Sequence, residues 1–217
     1  KREIRKKINK KIIYFPNPSI DMSKKIKFKT KLNRNFKILY AGNLGEAQNF
    51  EKIVEVAKKL LGKKIIFKII GGGNKYFWLK KKIKDEKIKN IKLLNNLAFQ
   101  KIPTYYKEAD CLMVSLRNKK FLNMTIPSKL QNYLSAKKPI LSICGGETKK
   151  IIEQNNCGLS IDNMSIEKMS YEIFSFSKKN KKTLNNMSRR GYKFFKKNFE
   201  ISSSKIKFYH ILNNEKI

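Results

Sequence analysis

Two short stretches of this chain carry residues whose types and spacing suit the grip of a phosphate. The first is Ala41 to Asn49, AGNLGEAQN, a loop between an apolar run and a helical pattern. Gly42 and Gly45 let the backbone turn tightly there and would present amides at a helix N-terminus, where the helix dipole favours an anion such as a diphosphate. A plain turn would use the same residues. The second stretch is Thr125 to Pro139, TIPSKLQNYLSAKKP. Pro127 starts a helix, with Ser128 and Lys129 in its first turn. A cation at a helix N-terminus opposes the dipole, so Lys129 sits against propensity. A bound phosphate would supply its missing counter-charge; an ordinary surface lysine is the plainer alternative.

Other chemistries find less support. Gly71-Gly72-Gly73 follows a strand pattern and precedes a helix, as a dinucleotide fingerprint does, but the third glycine's place is Tyr76. The acidic residue wanted about 20 positions on to hold a ribose is absent from Lys89 to Leu97. A tight turn whose amides could still approach a ligand is the reading left. The one histidine, His210, has no Ser, Cys or Asp placed to form a triad with it. No Cys/His or carboxylate cluster has metal-ligand spacing, so no metal site is expected. Cys111, Cys144 and Cys157 are odd in number and set among apolar neighbours. They read as buried, reduced thiols of a cytoplasmic protein.

The elements that must position these residues follow from the apolar pattern. Six short runs read as strands: Phe36 to Tyr40, Ile65 to Ile70, Ile91 to Leu94, Cys111 to Ser115, Pro139 to Ile143 and Gly158 to Ile161. Helical patterns alternate with them: Phe50 to Leu61 stopped by Gly62, Lys75 to Lys84, Pro103 to Glu108, Pro127 to Ala136 and Thr148 to Gln154. Two or three amphipathic helices then finish the chain. Strands apolar on both faces, alternating with helices, predict an α/β domain with a Rossmann-like parallel sheet covered on both sides. Ligands of such sheets bind beyond the carboxyl ends of the strands, where most runs end in Gly or Asn. Residues 1–35 are basic and irregular. The chain opens on Lys1 rather than Met, which predicts a piece of a longer protein.

The charge says less than its size suggests. Of 217 residues, 51 are Lys or Arg and 16 Asp or Glu, a formal net charge of +35. Only six of the basic residues are Arg, while Lys numbers 45, Ile 28, Asn 22 and Ala 6. Codons for Lys, Ile and Asn are rich in A and T, so genomic bias accounts for the excess. Readers of nucleic acid favour Arg, whose planar fork gives bidentate contacts. A basic nucleic-acid-binding module on a Rossmann-like scaffold therefore rests on charge alone. At 41% hydrophobic and 11% aromatic the chain is no disordered polycation, and no apolar run approaches the roughly 20 residues of a membrane span.

Several segments in register carry a resemblance. They are YFPNPSID, ILYAGNLGEAQNFEKIVEVAKKL, the IIGGGN turn, YYKEADCLMVSL, IPSKLQNYLSAKKPILS and GGETKKIIEQNNCGLSI. Together they resemble the C-terminal, donor-binding half of a family 4 glycosyltransferase of the two-Rossmann GT-B fold, most nearly the enzymes of O-antigen and colanic-acid assembly. The resemblance implies that residues 1–35 are the remnant of an N-terminal domain and the inter-domain linker (Pro16, Asn17, Asp21). Residues 36–180 would be the nucleotide-sugar-binding domain, and 181–217 helices packing back toward the missing domain.

The resemblance also implies roles. Gly42, Asn43 and Gly45 would lie against the donor phosphates, and Asn95, with Asn96, would flank the base. Ser128 and Lys129 would hold the diphosphate, and Glu147 would follow the glycine pair in a loop facing the sugar. Many members carry two glutamates eight positions apart; Met124 and Asn132 stand there, and Asn132 would bond the ribose without charge. Asn43 and Gln48 replace the usual Arg and Lys of the first loop, and Lys137 replaces a usual Gly. The implied reaction is transfer of a sugar, hexosyl or N-acetylhexosaminyl, from a UDP- or GDP-sugar to a lipid-linked or saccharide acceptor. It would proceed with retention, with no cofactor or metal, in surface polysaccharide synthesis. Catalytic residues would lie largely in the missing domain, in a cytoplasmic protein in peripheral contact with an anionic membrane face and with no nucleic-acid partner. A catalytically inactive glycosyltransferase-like domain is the other outcome of these departures.

Overall fold

Each apolar run expected as a strand is one. The computed structural model describes residues 13, 15–23 and 35–213; the rest of the basic arm, including Ile12, Tyr14 and Lys24-Lys25, lies outside the described residues. The strands are β1 (Phe36–Ala41), β2 (Ile65–Ile70), β3 (Ile91–Leu94), β4 (Cys111–Ser115), β5 (Ile140–Ile143) and β6 (Gly158–Ser160). They form one sheet in the order β3-β2-β1-β4-β5-β6, every neighbouring pair parallel. Strand order reverses between β1 and β4, so the loops leaving those strands diverge and open a crevice at their carboxyl ends.

The helices are α1 (Phe50–Lys59), α2 (Tyr76–Asp85), α3 (Ile102–Glu108), α4 (Lys120–Asn123), α5 (Ser128–Ser135), α6 (Gly146–Gln154), α7 (Ile166–Ser177), α8 (Lys181–Asn198) and α9 (Ile201–Leu212). Side chains alternate across the sheet and divide the interior in two. Ile38, Tyr40, Phe67, Met113 and Leu141 face α1, α2 and α7. Leu39, Ile70, Leu112, Val114 and Ile140 face α3, α5, α6 and α8. The three cysteines are free and buried. Burial pushes the thiol of Cys144 up to about 12 and that of Cys157 up to about 11, so they act as small apolar side chains.

Residues near both ends of the described chain are built into this body. Phe195 and Phe199 are fully buried in the second core. A Cβ on Gly191 of α8 would stand 2.9 Å from Leu134 and 3.1 Å from Cys157, so only glycine lets α8 lie this close. Residues 15–23 run as a strap across α5 and α8. The Ser19 amide donates to Phe199 O at 2.7 Å, the Met22 amide to Ser135 Oγ at 3.2 Å, and Met22 is 1% exposed. Asp21 accepts from the Tyr192 hydroxyl at 2.7 Å. By contrast α9 leaves Ile206, Phe208, Tyr209 and Leu212 exposed. No helix among the described residues is long and apolar enough to cross a membrane.

Candidate functional site

The loop after β1 is folded onto the loop after β2. The Gly42 amide donates to Ile70 O and the Leu44 amide to Gly72 O, both at 2.8 Å, and the Lys75 amide returns a bond to Leu44 O at 2.9 Å. Gly71 and Gly73 have φ of +154° and +138°. A Cβ on Gly71 would run into Gly42 O, and one on Gly73 would stand 2.5 Å from Leu44 O. The triple glycine is thus a close backbone-to-backbone contact, the tight-turn reading of its sequence. It corrects the reading of the first loop, whose amides were expected to be free for an anion. The Gly42 amide is taken by Ile70, and Gly45 is buried with its amide on Gln48 Oε1 at 2.8 Å. Asn43 has an exposed side chain, set between Gly45 and Gly73, and its amide has no acceptor among the described residues.

Four charges brace this loop from outside. Lys75, 17% exposed, holds Glu46 at 2.9 Å and Glu51 at 2.8 Å, and Arg117 beyond β4 reaches Glu51 at 2.8 Å. Arg117 also donates its backbone amide to Ala47 O at 2.7 Å. Burial alone would raise the Glu51 pKa, but the Lys75 hydrogen bond and the Arg117 charge hold it below the usual carboxylate value. The sequence reading missed this network because its members lie up to 71 positions apart with no local pattern. Lys119, Phe121 and Leu122 line an open hollow with Glu46, Ala47 and Arg117, between the loops after β1 and β4, where the strand order reverses.

The N-terminus of α5 enters beside the same loops. Tyr133 pins the helix to the end of β1: its hydroxyl accepts from the Ala41 amide at 2.9 Å and donates to Ala41 O at 3.1 Å. Lys129 then lies along Gly42. A Cβ on Gly42 would collide with Lys129 Cε and stand 2.6 Å from Nζ. The ammonium stands 5.1 Å from the centre of the Tyr40 ring and has no carboxylate or hydrogen-bond acceptor among the described residues. Half-buried and unpaired, it is held below the ordinary lysine pKa by desolvation. Ser128, the first residue of α5, is exposed beside it.

The structure thus brings Gly42, Asn43, Gly45 and Lys129 together, with Ser128 next to Lys129; the remaining three expected residues are engaged or placed differently from the expectation. Asn95 is exposed at the end of β3, two strands from β1. Asn132 is tied to the strap, its Oδ1 accepting from the Ser19 hydroxyl at 2.5 Å. Glu147 lies not in a loop but in the first turn of α6, where a carboxylate suits the dipole, and it pairs with Lys150 at 2.8 Å. Met124 is exposed after α4. Lys137, at the position where the resemblance expects glycine, has φ of +52°; its Nζ stands 4.1 Å from the Tyr192 ring centre, a cation–π contact that offsets the strain.

Comparison with known proteins bears on the family and the fold. Residues 22–194 match the family model described as glycosyl transferases group 1. The chain is 32% identical over 98 residues to a protein described as putative colanic acid biosynthesis glycosyl transferase WcaI of Escherichia coli (strain K12), a match covering 45% of this chain and 24% of that one. The fold is similar to that of a TarM variant from S. aureus crystallised with fondaparinux, alpha-GlcNAc-glycerol and UDP, with TM-score 0.73 and 14% identity over 98% of this chain and 42% of that one. It is also similar to the C-terminal domain of a glycosyl transferase group 1 protein, LpcC, from Francisella tularensis. That match has TM-score 0.59 and 16% identity, over 85% of this chain and 96% of that one. The chain therefore spans about a quarter of its curated relative and less than half of TarM. With the family model running from the strap into α8, this chain belongs to the group 1 glycosyl transferases and has the Rossmann-like fold of a GT-B half.

Proposed function

We propose that this chain is the donor-binding part of a retaining glycosyltransferase, and that Lys129 and the N-terminus of α5 hold the diphosphate of a UDP- or GDP-sugar. The observation that carries the reading is the half-buried Lys129 ammonium, laid along Gly42 without an anionic partner among the described residues. A cation left this way loses solvation without gaining a counter-ion, and a diphosphate beside Gly42 at the N-terminus of α5 restores the balance. Further support comes from UDP in the TarM structure. As the anomeric C–O bond breaks, charge develops on the leaving diphosphate, and the ammonium and the free amides of Asn43 and α5 are set to stabilise it. The acceptor hydroxyl attacks on the same face and passes its proton to the departing diphosphate oxygen.

The acceptor is proposed to be lipid-linked or saccharide, in surface polysaccharide synthesis. The lysine-rich surface would hold the protein at an anionic membrane face inside the cell. The transferred group is proposed to be a hexose or N-acetylhexosamine, and the step to need neither cofactor nor metal. Calorimetry of the full chain against UDP and GDP tests the site. Lys129→Ala is expected to weaken binding about 10- to 100-fold, the worth of a hydrogen bond to a charged group; unchanged affinity would remove Lys129 from the site.

A further inference from the structure

The residue that the resemblance assigns to the ribose, Asn132, is engaged elsewhere. Its carbonyl oxygen accepts the Ser19 hydroxyl proton at 2.5 Å, and its backbone carbonyl accepts from Ser135 Oγ at 2.7 Å, the same hydroxyl that receives the Met22 amide. The strap is fixed in turn to α8 through Ser19 to Phe199 and Asp21 to Tyr192, with Met22 buried beneath it. Helix α5 is only eight residues long, a short rod. Besides the burial of Leu130 and Leu134, side-chain hydrogen bonds hold it at three places: Tyr133 on β1, Asn132 on Ser19 and Ser135 on Met22. Lys129 lies one turn before Asn132, so residues three apart share a side of the rod.

We infer that Asn132 is a positioning residue, coupling the strap to α5 so that the strap sets where the Lys129 ammonium stands against Gly42. Leu130, Tyr133 and Leu134 seat the rod in the core, and the Ser19–Asn132 and Met22–Ser135 bonds fix its strap-facing side. The strap is then part of the anion site without touching the anion.

The inference rests on the reading of Lys129 as the diphosphate cation, and two ligands separate the two. Full-length wild type, Ser19→Ala, Asn132→Ala and the double variant are titrated with UDP and with inorganic pyrophosphate, which has no ribose. Both single variants are expected to lose about three- to tenfold in affinity for both ligands alike, with the double no weaker than either single. Ser19→Thr, which keeps the hydroxyl, is expected to restore wild-type affinity even if Ser19→Ala folds poorly. Loss of UDP but not pyrophosphate binding in Asn132→Ala, with Ser19→Ala unaffected, would make Asn132 a ribose ligand and overturn the inference. Unchanged affinity in every variant, or single losses that multiply in the double, would overturn it as well. Wild type binding neither ligand would overturn the donor-site reading itself, and the inference with it.

Discussion

Lys129 is where chemistry and stability oppose each other. Desolvation holds its pKa below the usual lysine value of about 10.4. Between the lowered value and the ordinary one, the unfolded chain binds a proton that the folded chain has lost, so stability rises with pH across that window. Below it the cost of burying the charge is fully present. Lys129→Met is therefore expected to stabilise the ligand-free chain by roughly 0.5–1 kcal/mol at pH 7 and to flatten the alkaline rise, read by urea unfolding. A diphosphate selects the protonated lysine, so UDP affinity in the wild type is expected to fall at lower pH than an ordinary lysine would impose; titrations at stepped pH check this. The anomaly was visible in the sequence, since a lysine after Pro127 opposes the helix dipole. The state of Asn132 was not, because its partner Ser19 is 113 positions away and nothing local to either residue marks the bond.

The glycines of the first two strand–helix turns were plain in the sequence, and their purpose was not. Spacing alone cannot tell a glycine that admits a ligand from one that admits another loop. Gly71 and Gly73 admit the carbonyls of Gly42 and Leu44, while Gly42 makes room for the Lys129 side chain. Gly71→Ala would place a Cβ on the Gly42 carbonyl at φ of +154°. It is expected to cost about 2–4 kcal/mol, measured by denaturant unfolding, and to weaken UDP binding by displacing the first loop. Helix α4 escaped the sequence reading for a different reason: its four residues, KFLN, are about one turn, too short to show a period. Helix α6 begins two residues before its expected start at Thr148, since Gly146 takes φ of +60° and lets the chain turn at once into the helix. That shift is what moved Glu147 out of the loop.

The parallel sheet was the most legible feature of the molecule, because strands buried on both faces leave runs of Ile, Leu and Val that nothing else in this lysine-rich chain imitates. The seat of α8 was less legible: an amphipathic helix on Leu184, Met187, Phe194 and Phe195 was expected, and these side chains do pack on the two cores, but the Gly191 approach to Leu134 and Cys157 has no local signal. Phe195→Ala is expected to cost about 3–5 kcal/mol and to lower the midpoint of one cooperative transition rather than release α8 by itself, checked by far- and near-UV signals melting together. The strap joins this body beside the end of α8, where Ser19 and Glu200 form a parallel bridge. Two contacts therefore tie the start of the strap to the far end of the described chain, the Ser19–Phe199 hydrogen bond and the Phe15–Phe208 ring pair. Tension applied between residue 15 and α9 is expected to load these two contacts before the strands of the sheet, which lie behind them.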